Sequence, residues 1–124
     1  MPIVFGVALG GALGASARYG LDRLIERSSS SVFPLSTFTI NVTGCFLIGL
    51  ISAALVDRHH LPAWLRVGLV VGVVGGYTTF STFAQEALDL GTIHHVALAA
   101  AYIAASVAVG MAAVYAGSKL GAVL

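Results

Sequence analysis

The amino-acid sequence reads as an all-α membrane protein with four membrane-spanning helices. Three observations carry that reading. Of the 124 residues, 58% are hydrophobic and only 9% charged, against roughly a quarter charged in a soluble domain. The mean hydropathy is +0.97. The chain also divides into four charge-free runs, each near the length of about 20 residues that a spanning helix needs. So few charges cannot cover a water-facing surface, and so apolar a chain does not stay disordered. The net charge of +1 offers no basic field for nucleic acid. Cys45, the sole cysteine, has no partner for a disulfide within the chain.

The first helix is expected over residues 2–24, built on the apolar run that Arg18 closes. Ala15-Ser16-Ala17 looks like a leader cleavage site, but no Lys or Arg precedes the apolar stretch, so the segment is kept as a helix. Gly6, Gly10 and Gly14 recur every fourth residue, with Arg18 next in the row. Small residues so spaced let helix backbones approach closely. Arg18 either snorkels to the interface or draws anions to a vestibule.

The second helix is expected over 33–56, after the serine-rich stretch Ser28 to Ser31. Pro34 falls in its first turn, where a missing N–H costs little. Thr37, Asn41 and Cys45 share one face. Asn41 lies well inside the span, where an amide is costly without a partner. It serves either as an interhelical hydrogen bond or as a donor lining a water-accessible path.

The third helix is expected over 62–89, opened by Pro62 and closed by Glu86, Asp89 and Gly91. Paired Gly75-Gly76 and then paired Thr78-Thr79 are poor helix formers. A break near 75–79, at the bilayer midplane, is the expectation. Irregular backbone at that depth survives only when buried in protein or lining a cavity, and its freed carbonyls suit a cation. Past the break, Phe80 and Phe83 share a face, as do Thr79, Thr82 and Phe83. The fourth helix, expected over 93–119, carries Tyr102, Ser106 and Gly110 as a narrow polar stripe. Stripes on three helices at similar depth suggest a thin hydrogen-bonding track.

No Asp, Glu, Lys or Arg lies at mid-span, so a proton-coupled transporter lacks its carrier. A Ser-His-Asp set, zinc spacing and a phosphate loop are all missing, and no enzyme is expected. His59-His60 and His94-His95 read as solvated loop residues. Arg58, Arg66 and Lys119 lie on the side of the termini, and Arg18, Arg23 and Arg27 on the other. That even split gives no orientation by the positive-inside rule. Either six charges are too few, or the chain inserts both ways and pairs antiparallel with itself.

These residues carry a resemblance. Gly10 through Arg18-Tyr19, Thr37 through Asn41 to Gly44, and Gly75-Gly76-Tyr77-Thr78-Thr79-Phe80-Ser81-Thr82-Phe83 resemble the Fluc (CrcB) family of fluoride channels, over essentially the whole chain. The resemblance implies an antiparallel (inverted) homodimer with two separate fluoride pores, passive and electrogenic; small size and the lack of a targeting peptide favour a bacterial or archaeal inner membrane. It implies a structural sodium ion at the dimer centre, held by the backbone carbonyls of Gly75 and Thr78 from each subunit. It implies a fluoride pore of Asn41, Phe80, Phe83, Ser81, Thr82, Tyr102 and Ser106, with Arg18 as a vestibule or structural residue. It also implies a physiological role, letting out fluoride that entered as HF. Ser36 stands where the family often has glycine, and Cys45 where it often has serine. A pore of hydroxyls, an amide and aromatic edges suits fluoride, a strong acceptor that must exchange water for donors. Two other readings compete. A small multidrug-type exporter needs a carboxylate inside the span of the first helix, and the apolar run that Arg18 closes has none. A non-transporting structural subunit leaves the break and its hydroxyls unexplained.

Overall fold

A computed structural model of the chain describes residues 2–56 and 60–124. Residues 57–59, and with them the expectation for His59, lie outside the described residues. Helix α1 spans Pro2–Ser28 and α2 spans Leu35–Ile51, continued by a π-helical turn over Ser52–Val56. Helix α3 begins at Ala63–Val67, widens into a π-helix over Gly68–Val74 and ends in Gly75–Tyr77. Helix α4 spans Phe80–Thr92 and α5 spans Val96–Val123. Among the described residues there is no strand. Four segments, Pro2–Ser28, Leu35–Leu55, Ala63–Thr92 and Val96–Val123, are long and apolar enough to cross a bilayer.

The ends follow local chemistry. Helix α1 runs past residue 24, because the charged stretch from Asp22 to Arg27 is made of adequate helix formers and carries an Arg23–Glu26 ion pair one turn apart. The Pro34 carbonyl accepts the Phe38 N–H at 3.0 Å and so starts α2. Ser36 donates to Asp22, tying the end of α1 to the start of α2. Between α4 and α5 the chain turns through His94, whose φ of 67° lies in the left-handed region. His94 and His95 are exposed.

Two helix pairs form the body: α1 lies along α3, and α2 lies along α5. Close approach explains the glycine rows. A Cβ at Gly14 would collide with the Val73 carbonyl, and one at Gly117 with the Phe46 carbonyl. Both obstacles are backbone and cannot swing aside. Gly14→Val is therefore expected to destabilise the protein by at least about 3 kcal/mol, read as a lowered unfolding midpoint in detergent. The outward side chains of α1, among them Phe5, Leu9 and Leu13, are apolar and exposed, as suits lipid contact. Inside, Ala87, Leu90, Ala99 and Tyr102 form a core edged by Phe33, Phe38 and Phe83.

Candidate functional site

Between Tyr77 and Phe80 the backbone leaves the helix. Thr78 has ψ 160°, and Thr79 has φ −148° and ψ 111°. Thr78 and Thr79 are β-branched and tolerate this extended form well. The glycines before them stay helical, with Gly76 close enough to α1 that a Cβ would lie 2.9 Å from the Gly11 carbonyl.

Extended backbone inside a membrane needs partners, and side chains supply them. Asn41 of α2 grips Thr79 from both sides: its Oδ1 accepts the Thr79 N–H at 2.8 Å, and its Nδ2 donates to the Thr79 carbonyl at 3.0 Å. An amide nitrogen carries two hydrogens, so one donor of Asn41 is left over. Thr79 Oγ1 caps α4 by accepting the Thr82 N–H and donates to Thr82 Oγ1 at 2.9 Å. Thr78 N–H and Thr78 Oγ1 both donate to the Val74 carbonyl, at 3.0 and 3.1 Å. Arg18 Nε donates to the Gly76 carbonyl at 3.3 Å, which joins α1 to the end of α3. Tyr77 OH and Thr43 Oγ1 lie 2.8 Å apart.

This corner opens onto a cavity of about 320 Å³ whose lining includes Asn41, Cys45, Thr78, Phe80, Phe83 and Ser106. Six residues singled out in the sequence thus meet around one space. The rings of Phe80 and Phe83 stand 5.7 Å apart at 48°. Ser106 Oγ is buried and has no hydrogen-bond partner among the described residues. A second cavity, about 240 Å³, has Arg18, Thr37, Thr79, Thr82 and Glu86 among its lining residues.

Other candidates sit elsewhere. Ser81 is exposed and lines neither cavity. Tyr102 is wholly buried at 0% exposure. It stands behind Phe83, with ring centroids 5.0 Å apart, and does not line either cavity. Gly75 is exposed and Thr78 half-buried. Among the described residues no group of three or more His, Cys, Asp or Glu could hold a metal ion.

One residue has a larger part than sequence reasoning assigned. Glu86, read only as the close of a helix, accepts Thr37 Oγ1 and Tyr102 OH, each at 2.7 Å. One carboxylate thereby joins α2, α4 and α5 behind the phenylalanines. A signal existed: Glu86 lies seven residues past Thr79 and shares its helix face.

The chain matches the family model described as CrcB-like protein, Camphor Resistance (CrcB), over residues 5–118. It is 46% identical over 117 residues to a protein of Acidobacterium capsulatum named Fluoride-specific ion channel FluC, covering 93% of this chain and 92% of that one. Proteins of the same name from Methylobacillus flagellatus and Paracoccus denitrificans are 44% and 43% identical, each covering at least 90% of both chains. Matched in family model and in relatives along nearly its whole length, the chain belongs to the CrcB family.

Proposed function

We propose that the chain is a passive, electrogenic, fluoride-selective channel of a bacterial inner membrane. The observation that carries this reading is the cavity where Asn41, Phe80, Phe83 and Ser106 meet, in a chain whose relatives are named fluoride-specific channels. The cavity offers what a small, strongly hydrated anion requires. The spare Asn41 donor and the unpartnered Ser106 hydroxyl replace lost water. The ring edges of Phe80 and Phe83 carry partial positive charge. Weak binding at several places lets the ion leave as well as enter. No enzymatic chemistry is assigned.

The working unit in this reading is an antiparallel homodimer with two pores, and the break at Thr78-Thr79 lies at the bilayer midplane. Ser81, exposed in one chain, is then free to complete the track beside the partner subunit. A sodium ion at the dimer centre fits the chain: a helix that ends at Tyr77 leaves the carbonyls of its last turn without the usual donors, and Gly75 is exposed. Gly75 and Thr78 would hold it by their carbonyls, and its charge would fix two like backbone breaks against each other.

Efflux from liposomes, read with a fluoride electrode, tests the function. Potassium loading and valinomycin balance the charge, with a parallel chloride trial. Fluoride release that waits for valinomycin, without chloride release, is expected. No release from folded, dimeric protein would overturn the reading. Cys45 adds a second test, since it lines the cavity and is the sole cysteine. A small methanethiosulfonate reagent is expected to slow efflux at least about tenfold, a barrier of about 1.4 kcal/mol. The Cys45→Ala protein should conduct and resist the reagent.

A further inference from the structure

Asn41 does more than offer a donor to the cavity. In an unbroken α-helix the N–H of residue i bonds the carbonyl of residue i−4. The Thr79 N–H would then go to the Gly75 carbonyl. It goes to Asn41 Oδ1 instead, at 2.8 Å. The next nearest donor, the Thr78 N–H, is spent on Val74 at 3.0 Å. The Gly75 carbonyl thus loses both donors that helical geometry would bring to it. Nearby carbonyls fare differently: Val74 accepts Thr78 twice, Gly76 accepts Arg18, and Thr79 accepts Asn41.

We propose that Asn41 is a positioning residue for a monovalent cation site, holding the Thr79 N–H away from Gly75 so that the Gly75 carbonyl stays free to bind the ion. The inference rests on the sodium reading above and adds the cause. The amide of Asn41 replaces the backbone partner that the Thr79 N–H has lost and holds the same peptide in place by donating to the Thr79 carbonyl. A hydrocarbon at position 41 leaves a buried N–H without a partner, which costs about 1–3 kcal/mol. The partner that an unbroken helix would give that N–H is the Gly75 carbonyl, and a bond there closes the helix over the site.

The test is the unfolding midpoint of the purified protein, in sodium and in N-methylglucamine salts at equal ionic strength. Wild type is expected to gain stability from sodium. Asn41→Leu is expected to lose that gain, or to need at least about tenfold more sodium for half of it. Were Asn41 merely structural, both midpoints would fall together and the sodium gain would persist, which overturns the inference. No sodium gain in wild type would instead remove the sodium reading itself. Where Asn41→Leu fails to fold, infrared spectra of wild type with a heavy-isotope carbonyl at Gly75 decide. That band is expected to move to lower frequency when sodium replaces N-methylglucamine. A band at the helix-bonded frequency, unmoved by sodium, overturns the proposal.

Discussion

Replacing Phe80 and Phe83 together by alanine is expected to cut fluoride efflux per folded channel at least about 100-fold, with each tenfold step worth about 1.4 kcal/mol of barrier. Both rings line the cavity that also holds Asn41 and Ser106. An alanine methyl has no polarised C–H edge to offer an anion, and water alone cannot fill a strip of wall so apolar. The two residues separate function from stability. Phe80 is 79% exposed within the chain, so Phe80→Ala removes little packing and should leave the subunit's own fold intact. Phe83 packs against the Tyr102 ring and the core, so Phe83→Ala should also lower the unfolding midpoint, by about 3 kcal/mol or more. Phe80→Met preserves bulk without a ring. Efflux as slow in Phe80→Met as in Phe80→Ala identifies the aromatic edge as the active feature. Wild-type efflux in the double alanine variant would remove both rings from the pathway.

What sequence could reveal here was whatever depends on one helix at a time. The glycine row of α1 announced a close helix contact, because spacing by four places residues on one face whatever lies opposite. That contact exists, with Gly6, Gly10 and Gly14 all buried. The four spans follow from length and apolarity alone. Features that depend on two helices were harder. Propensity weighs Gly75-Gly76 as heavily against a helix as Thr78-Thr79. Yet the glycines remain helical, serving α1, while the threonines are extended. The difference lies in Asn41, 38 residues away in sequence from Thr79, which bonds the backbone of Thr79 on both sides. The π-helical widening at Gly68–Val74 has no marker in composition either. Tyr102 showed its helix face correctly but not its burial, since that depends on Phe83 and Phe33 covering it. Glu86 looked like the polar end of a span because nothing in α4 alone says that two hydroxyls from other helices will meet it.

That meeting of hydroxyls carries the second large expectation. Glu86 binds Thr37 of α2 through one oxygen and Tyr102 of α5 through the other. Hydrogen bonds to a charged acceptor are worth about 1.5–3 kcal/mol each, and a buried group left without its partner loses at least as much. Glu86→Ala should therefore cost more than either Thr37→Val or Tyr102→Phe, because it strands both hydroxyls at once. Thr37 and Tyr102 are both buried and have little water to turn to. We expect Glu86→Ala to destabilise by about 3 kcal/mol or more and each single hydroxyl removal by about half of that. The paired variant Thr37→Val, Tyr102→Phe leaves a half-buried carboxylate with neither donor. Its cost should exceed the sum of the singles, a coupling of about 0.5–3 kcal/mol. Unfolding midpoints in detergent measure the cycle. Efflux measured on the same proteins shows how far the effect travels, since Tyr102 supports the Phe83 ring from behind and Glu86 lines the second cavity beside Thr79 and Thr82. A loose Tyr102 ring gives Phe83 room to turn, so Tyr102→Phe, which keeps the ring, should conduct far better than Tyr102→Ala. Strict additivity across the cycle would mean that the two hydroxyls act on separate partners, and that the carboxylate does not join the three helices.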